Sequence, residues 1–431
     1  MNPRVLLAGT GPVSVQLAVI AKKKLNCEVG IAGRRSVRGR KFFQALAENR
    51  QRIAVSVQKE TIRGMEGVCV IDNIYSGYEA VQGKWDVLVL TVTTDSYTAV
   101  LKSIDREVLK KVSSIVLISP TFGSNSLVKQ FIKGINAKCE IISFSTYLGD
   151  TRWVGGEPSH HVITAAVKKR LYIGSGFRES KVIQRLVNAG EDMGIELVHV
   201  PSPLEAETRN ISLYVHPPLF MNEYTLRAIF EEGTRKYVYK LFPEGPITHR
   251  LIRIMRSQWK EMMGILEKLG VPQLNLLKFM TDDTYPVRPE SLPRRDIEHF
   301  GDLEPVHQEY LLYIRYTSLL IDPFSTPDED GRYFDFSAVP IRKLFVNHEG
   351  ELDIPRMPKE DYYRIKIIQG IARHLEVECP AIDGLILVYE ENLKKAAELY
   401  KDKLLSEAFI LRDFHGDIGR ITRELKTHSE E

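Results

Sequence analysis

The sequence has few cysteines, no long apolar run and almost no net charge. Its four cysteines, Cys27, Cys69, Cys139 and Cys379, lie far apart and form no CxxC pair. That spacing argues against the common zinc and redox motifs and indicates scattered, reduced thiols. No stretch reaches the roughly 18 apolar residues of a membrane span, and the apolar run at the start is too short for a signal peptide. We therefore expect a cytoplasmic protein that does not contact a membrane.

The charge balance narrows the class of partner. The chain carries 59 Lys and Arg against 56 Asp and Glu, a net charge of +3 over 431 residues. So small a surplus gives no support for nucleic-acid binding, although a local basic pocket for an anionic ligand remains open. The length itself suggests two domains, because one core rarely grows beyond about 300 residues.

Short apolar runs alternate with helical patterns over the first 200 residues. Runs rich in Val, Ile and Leu are typical of strands covered on both faces, as in a parallel sheet. Strands are predicted at 4–8, 28–32, 85–91, 114–119, 140–145, 171–173 and 196–200. With a helix predicted at 13–24, this order indicates α/β architecture: a doubly wound Rossmann domain over 1–202. Helical patterns at 222–232, 247–269, 305–320, 362–374 and 381–404 predict a mostly α-helical catalytic domain over 203–431.

A glycine turn follows the first predicted strand, in the string RVLLAGTGPVSVQLA. The order of strand, glycine turn and helix is that of a dinucleotide-binding fingerprint, in which the pyrophosphate meets the helix N-terminus. Ser14 at the third fingerprint position is small enough for close packing of helix on strand. An ordinary strand–helix turn is the alternative. The predicted nucleotide contacts here are Gly9, Thr10, Gly11, Pro12 and Val13.

The end of the second predicted strand is basic where an NAD enzyme has an acid. Arg34, Arg35 and Arg38 follow Gly33, and an acidic residue that would hold the ribose 2′-hydroxyl is missing. Arginine binds phosphate through a bidentate fork, so the sequence favours NADPH over NADH, with Arg34 as the main contact. A solvated basic loop is the alternative.

Two later strand ends are small and polar. Ligands of open α/β sheets bind at the carboxyl ends of strands, so these loops are suited to backbone contact with the nicotinamide half. The predicted residues are Thr91 and Thr93 after one strand, and Pro120 and Gly123 after the next.

Long strings of the sequence resemble one enzyme family: ISPTFGS, ISFSTYLGDTRW, PLEAETRNISLYVHPPLFMNEY, YVYKLFPEGPIT and EYLLYIRYTSLLIDPFS. They are similar to the staphylopine dehydrogenase family, the opine dehydrogenases of bacterial metallophore synthesis, with the pseudopaline, yersinopine and bacillopaline enzymes. The resemblance runs from Gly9 to about Tyr363. It implies a Rossmann domain, a helical catalytic domain and a homodimer.

The resemblance also implies a reaction. Such enzymes take an aminobutanoyl-histidine intermediate from a nicotianamine-synthase-like enzyme and condense its primary amine with pyruvate or 2-oxoglutarate. NADPH then reduces the imine to a secondary amine that chelates metal ions. Two alternatives stay open: an NADP-dependent hydroxy-acid or sugar-acid dehydrogenase, and an NADP-binding sensor without turnover.

His216, in LYVHPPLF, is the candidate catalytic residue. Imine formation requires proton transfers near neutrality, which suit an imidazole. Pro217 and Pro218 follow it and favour a helix start, so we expect His216 near a helix N-terminus, where the dipole disfavours the imidazolium. The resemblance points to the same histidine, and a structural histidine is the alternative. Glu205 or Glu207 are candidates for the carboxylate that orients it.

Asp150, in LGDTRW, follows a predicted strand and is a candidate partner for an ammonium or imidazole of the substrate. By resemblance, Asp here favours a D-histidine-derived substrate; a turn cap is the alternative. Polar and cationic candidates for the remaining substrate contacts are Arg152, Asn210, Lys240 and Arg315, each of which is equally a candidate structural residue. The adjacent pair His160–His161 points apart on a strand and lacks a third ligand, so we expect no metal ion.

Overall fold

The structure is a computed structural model that describes residues 2–231, 233–284, 286–322 and 324–429, with side chains up to Leu425. The chain forms two compact units. The first comprises Met1–Asn210 together with Gly419–Glu431, and the second comprises Ile211–Ile418. Residue 1 of the domain predicted over 1–202 and residues 430–431 of the domain predicted over 203–431 lie outside the described residues. The same holds for residue 232, the last of the helix predicted at 222–232.

The first unit alternates strands and helices. Its strands are β1 (Arg4–Ala8), β2 (Glu28–Gly33), β3 (Arg52–Val57), β4 (Gly67–Val70), β5 (Asn73–Ser76), β6 (Val87–Leu90), β7 (Ser114–Leu117), β8 (Glu140–Phe144), β9 (Gly149–Trp153), β10 (His161–Val167), β11 (Arg170–Ser175) and β12 (Glu196–Val200). Its helices are α1 (Pro12–Lys23), α2 (Val37–Glu48), α3 (Tyr97–Ser103), α4 (Arg106–Leu109), α5 (Ser124–Ile132), α6 (Lys181–Glu191) and α7 (Pro203–Thr208).

The main sheet of this unit is a Rossmann sheet, as predicted. Its order is β12-β11-β8-β7-β6-β1-β2-β5. The strands from β8 to β5 in that order pair in parallel, and β11 joins β8 in antiparallel. Side chains alternate between the faces, so Val5 and Leu7 enter one apolar core while Leu6 and Ala8 enter the other. Every strand predicted from an apolar run lies in this sheet.

A second, four-stranded sheet of order β4-β3-β10-β9 was missed by the sequence analysis. Buried Gln16 of α1 ties the unit's first helix to it. The amide of Gln16 donates to the Met65 carbonyl at 3.1 Å and accepts the Thr164 hydroxyl at 2.5 Å. Strand β10 and the turn before β4 are thereby fixed on α1.

The second unit is mostly helical, as predicted. Its elements are α8 (Ser212–Phe220), α9 (Glu223–Phe230), α10 (His249–Lys268), α11 (Leu276–Lys278), α12 (Arg294–Glu298), α13 (Pro305–Thr317), β13 (Phe345–Val346), β14 (Leu352–Asp353), α14 (Arg356–His374), α15 (Pro380–Leu399) and α16 (His415–Ser429). The two short strands pair with each other. Helix α16 passes from the second unit into the residues grouped with the first.

The division between the units follows buried polar contacts rather than the change in sequence pattern. It falls after Asn210, whereas the pattern suggested 202/203. Helix α7 belongs to the first unit because Glu207 is buried against α5 and β8, where it accepts the Ser143 hydroxyl at 2.9 Å. Near the C-terminus, Glu424 pairs with Lys129 of α5 at 2.8 Å, which joins this segment to the first unit.

We expect Gln16→Leu to lower the free energy of unfolding by about 1–3 kcal/mol, because the Met65 carbonyl and the Thr164 hydroxyl lose their buried partner. Chemical denaturation followed by circular dichroism measures the change. Gln44→Leu, on the exposed face of α2, is the matched control. Equal stability of the two variants would contradict the role given to Gln16.

Candidate functional site

The glycine turn after β1 is held by close backbone approach. Gly9 has φ +145°, and a Cβ there would lie 2.4 Å from the Thr91 hydroxyl oxygen. The N–H of Gly9 donates to the Ala32 carbonyl at 2.8 Å. The Ser14 and Thr91 hydroxyls lie 2.6 Å apart, so the small residue at the third fingerprint position locks α1 onto the end of β6. Only glycine fits this turn.

The N-terminus of α1 is open to an anion. Gly11 caps the helix without a side-chain hydrogen bond, and Pro12 occupies the first turn. A Cβ on Gly11 would meet nothing within 4 Å. The geometry therefore leaves room for a pyrophosphate against the positive end of the helix dipole, beside Thr10 and Val13.

The basic residues after β2 divide into two groups. Arg35 is engaged: it pairs with Glu79 at 3.1 Å and donates to the Ser76 carbonyl at 3.1 Å. Arg34 and Arg38 are exposed and form no ion pair within the part of the chain that the structure describes. Desolvation, with the like charge of Arg34, lowers the pKa of Arg38. Two close, unpaired guanidinium groups suit a phosphate dianion.

The loops after β6 and β7 carry the remaining predicted nucleotide residues. The Thr91 hydroxyl also donates to the Ala8 carbonyl at 2.9 Å, so it holds the residue that directly precedes the glycine turn. Thr93 is exposed, with its hydroxyl 3.3 Å from that of Ser96. Pro120 is buried, and Gly123 caps α5 with φ +84°.

The Glu207 carboxylate, on α7, lies at the N-terminus of α5 and accepts hydrogen bonds from N–H groups of the predicted nicotinamide loop. Its carboxylate accepts the N–H of Gly123 at 2.8 Å and that of Asn125 at 2.6 Å. Burial raises the pKa of Glu207 to about 8, against the lowering effect of these donors and of the Ser143 hydroxyl. The N–H of Gly123 is therefore already used. The described hydrogen bonds and ion pairs of the Glu205 and Glu207 carboxylates are made to residues of the first unit. His216 belongs to the second unit.

His216 lies inside α8, not at its start as predicted. The helix begins at Ser212, and both prolines lie within it. Pro217 lacks the N–H that would bond the Leu213 carbonyl; instead the amide of Gln258 on α10 donates to that carbonyl at 2.6 Å. The helix therefore continues through the prolines, and the dipole argument from a helix start does not hold.

The carboxylate beside His216 comes from α14, which lies far along the chain from the string LYVHPPLF. Asp361 of α14 is fully buried, with one oxygen 3.7 Å from His216 Nδ1. Neither that nitrogen nor the second oxygen of Asp361 has a hydrogen-bond partner among the described residues. The Phe220 ring packs edge-on against the imidazole, with 5.2 Å between ring centroids. The pair is positioned for imidazole and carboxylate to act together.

Three further charges on α14 hold Asp361. The Arg364 guanidinium bonds Asp361 and also Glu360, the latter at 3.2 Å. Arg356 in turn bonds the other oxygen of Glu360. Burial alone would raise the pKa of Glu360, but Arg356 and Arg364 bring it below its usual value. This cluster was not predicted from the sequence, where its one signal is the acid–base spacing of three and four residues on a helical pattern.

Three of the predicted substrate residues belong to the first unit. Two of them lie on its second sheet, and Asn210 is the last residue of the segment Met1–Asn210. Asp150 and Arg152 are exposed on β9, two residues apart and so on the same face of the strand. Asp150 is therefore not a turn cap. The described partner of Arg152 is neutral: the Gln58 amide oxygen accepts a long hydrogen bond from its guanidinium at 3.4 Å. Asn210 is buried.

Those of the second unit are more constrained. Lys240 pairs with Asp335 at 3.0 Å and with Glu244 at 3.2 Å. Arg315 is 2% exposed and donates to the Met280 carbonyl at 3.2 Å. The Lys240 ammonium and the Arg315 guanidinium thus both have contacts within the protein.

Other features of the described residues concern metals, thiols and membranes. In the described ranges, no three His, Cys, Asp or Glu side chains gather as a metal site. The four cysteines are free, and burial raises the pKa of the Cys69 thiol to about 11. Within the same ranges, no helix has the length and apolar character needed to cross a membrane.

Comparison with known proteins identifies full-length relatives. A family model described as staphylopine dehydrogenase matches residues 3–425. The staphylopine synthase of Staphylococcus aureus strain Mu50 is 48% identical over 427 residues, or 98% of each chain. The pseudopaline synthase of Pseudomonas aeruginosa is 35% identical over 91% of this chain and 90% of its own.

Solved structures agree in fold. Yersinopine dehydrogenase with NADP+ bound matches with a TM-score of 0.91 at 28% identity, covering 99% of each chain. Octopine dehydrogenase in complex with NADH and agmatine matches with a TM-score of 0.62 at 15% identity, covering 98% of this chain and 95% of its own. The second likeness shows the fold alone.

We expect Arg34→Ala to raise the KM for NADPH about 10–100-fold, because a charge-assisted contact to the 2′-phosphate is lost, and to change the KM for NADH little. Arg35→Ala should have the smaller effect, since its side chain is already paired with Glu79. Steady-state kinetics with both nucleotides measure this, and Arg178→Ala on an exposed loop is the control. An equal rise in KM for both nucleotides would show that Arg34 does not read the phosphate.

Proposed function

The chain belongs to the staphylopine dehydrogenase family, and on that premise we propose that it is an NADPH-dependent opine dehydrogenase that builds a metal-chelating opine. The observation that carries the proposal is 48% identity with a staphylopine synthase along 98% of both chains. An exposed basic pair after β2 and a histidine–carboxylate pair in the second unit support it. The basic pair would recognise a nucleotide with a 2′-phosphate, and the histidine–carboxylate pair would transfer protons near neutrality.

The reaction that we propose joins an amine to a keto acid. The primary amine of an aminobutanoyl-histidine attacks the carbonyl of pyruvate or 2-oxoglutarate, and loss of water gives an imine. Hydride and a proton then convert the imine to a secondary amine. A nicotianamine-synthase-like enzyme would supply the amine. We further propose a homodimer that works in the cytoplasm, in keeping with the four free thiols.

The first unit fits NADPH. The open helix end at Gly11 would hold the pyrophosphate, and Arg34 with Arg38 would hold the 2′-phosphate. Bound NADPH supplies the hydride that reduces the imine carbon. The loop capped by Gly123 would contact the nicotinamide half through atoms other than the Gly123 N–H, which Glu207 occupies.

His216 would move the protons. Its imidazole takes the two protons that the attacking nitrogen loses, one after the other. It passes the first to the carbonyl oxygen as the carbinolamine forms and the second to the resulting hydroxyl, which leaves as water and gives the neutral imine. Asp361, 3.7 Å from Nδ1, stabilises the imidazolium between the two steps and fixes the ring. Burial of this carboxylate strengthens the interaction, because less water screens it.

Substrate charges have matching candidates. Asp150 and Arg152 share one face of β9, where a carboxylate and a guanidinium together suit a zwitterionic amino-acid group. Asn210, Lys240 and Arg315 would contribute only after exchanging or sharing their present contacts. We therefore place Asp150 and Arg152 first among these proposals for the amine substrate.

The function is tested by NADPH oxidation with synthetic aminobutanoyl-D-histidine and either pyruvate or 2-oxoglutarate. We expect turnover only when amine and keto acid are both present, and a loss of roughly 100-fold or more in His216→Ala. The L-histidine-derived amine and an amine-free mixture are controls. Oxidation without the amine would favour a simple hydroxy-acid dehydrogenase, and NADPH binding without any turnover would favour a sensor.

Asp361→Asn tests the orienting carboxylate. We expect kcat to fall about 10²–10⁴-fold with little change in the KM for NADPH, because the imidazolium loses its counter-charge. Glu390→Gln on α15, which removes a carboxylate that contacts Tyr362 and Lys366, is the matched control. Thermal melts establish that both variants fold. An unchanged kcat in folded Asp361→Asn would remove Asp361 from the mechanism.

A further inference from the structure

Lys168 lies at the carboxyl edge of the main sheet. It follows β10 and precedes β11, whose Ile173 pairs with Phe144 at the end of β8. Because β11 runs antiparallel to β8, the start of β11 adjoins the end of β8. The backbone N–H of Lys168 donates to the Leu148 carbonyl at 2.8 Å, and its Nζ donates to the Thr146 hydroxyl at 3.1 Å. This edge is where open α/β sheets bind their ligands.

Among the residues that the structure describes, the ammonium of Lys168 has no counter-charge. No carboxylate of the described residues lies within ion-pair distance of it, and its described side-chain partner is neutral. Desolvation lowers the pKa of Lys168 to about 8. A desolvated cation that is not paired costs free energy, and such sites are concentrated where proteins bind or react.

The charged groups around this lysine belong to the adjoining strands. Asp150 lies on β9, which pairs with β10. Lys169 is exposed and adjacent in sequence, and Arg170 pairs with Glu196 at 2.9 Å. The Tyr147 phenol lies 2.7 Å from the Thr151 hydroxyl. Arg170 is thus already neutralised, and an incoming anion would meet Lys168 as the cation nearest Thr146.

Hydrogen bonds connect this position to the loops that precede α3 and α5. The N–H of Tyr147 donates to the Ser119 hydroxyl oxygen at 3.2 Å, just past the end of β7. The Thr94 hydroxyl donates to the Ser119 carbonyl at 3.4 Å, just past β6. Lys168 and Thr146 are therefore fixed next to the loops expected at the nicotinamide.

We propose that Lys168 and Thr146 form the subsite that binds the carboxylate adjoining the carbonyl of the 2-keto acid. The inference rests on the proposed function and adds to it the location of one substrate. In a 2-keto acid the carboxylate is bonded directly to the carbon that accepts hydride, so its site must adjoin the nicotinamide loops. The Thr146 hydroxyl accepts from Lys168, which leaves its own hydrogen to donate to the carboxylate.

The pH dependence follows from the sign of the lysine charge. An anion binds the protonated lysine, so it raises the pKa of Lys168 in the complex, and binding weakens as pH rises through the pKa of the free protein, about 8. Above that pH the KM for the keto acid should rise about tenfold per pH unit. Lys168→Arg keeps its charge in this range and should lose the dependence.

The test compares Lys168→Met, Lys168→Arg and Thr146→Val with Lys169→Met, an exposed neighbour, as control. We expect Lys168→Met to raise the KM for both pyruvate and 2-oxoglutarate about 10–100-fold, with a much smaller change in the KM for NADPH. Thr146→Val should act in the same direction, Lys168→Arg should retain most of the affinity, and Lys169→Met should match the wild type. A KM that changes less than about twofold in folded Lys168→Met would overturn the subsite.

Calorimetry separates this inference from the proposed function. Pyruvate is titrated into the protein saturated with NADP+, so that no turnover is needed. Weaker binding to Lys168→Met than to wild type supports the subsite even if the amine does not react. Equal binding to both proteins overturns it even if the wild type makes an opine. An effect on 2-oxoglutarate alone also overturns it, because the lysine would then contact the distal carboxylate.

Discussion

The ion pair between Arg364 and Asp361 is the interaction on which the surroundings of His216 depend. Asp361 is fully buried, so its charge requires a partner, and Arg364 provides one from the next turn of α14. Arg364 also bonds Glu360, which Arg356 holds from the other side. The charges thus alternate along one helix. This arrangement directs a carboxylate toward α8 without leaving it uncompensated.

Helix α8 can present His216 there only because another helix completes its backbone bonding. Two prolines inside a short helix leave carbonyls without N–H donors, which is ordinarily costly. The buried Gln258 of α10 donates to the Leu213 carbonyl and removes one such deficit. A glutamine on one helix and a proline on another are therefore linked, although they are far apart in sequence. In the first unit, Glu207 has a similar role, since its carboxylate binds the N-terminus of α5 and fixes α7.

Most strands of the main sheet were predictable because they are apolar runs, and β1 and β12 have the predicted bounds. The edge strand β5, with the partly exposed sequence NIYS, was not predicted. The second sheet was missed because its strands mix polar with apolar residues and are partly exposed: Val68 of β4 is 57% exposed, and β9 is the polar sequence GDTRW. Prolines after His216 suggested a helix start, because sequence alone does not reveal a distant donor. Among the site residues, the glycine turn and the basic loop follow from local sequence, whereas Asp361 does not.

The sequence by itself determined the fold class, the nucleotide turn, the preference for a phosphorylated ribose and the identity of the candidate histidine. The first three depend on residues close together in the chain: periodicity, a glycine turn directly after a strand, and arginines directly after the next strand. The histidine was identified by the family resemblance of the string around it. The tertiary structure alone decided that Asp361 lies beside His216, that Arg35 pairs with Glu79, and that Lys168 meets Thr146. Those contacts join different elements, and burial and pairing of charge depend on how the chain folds back on itself.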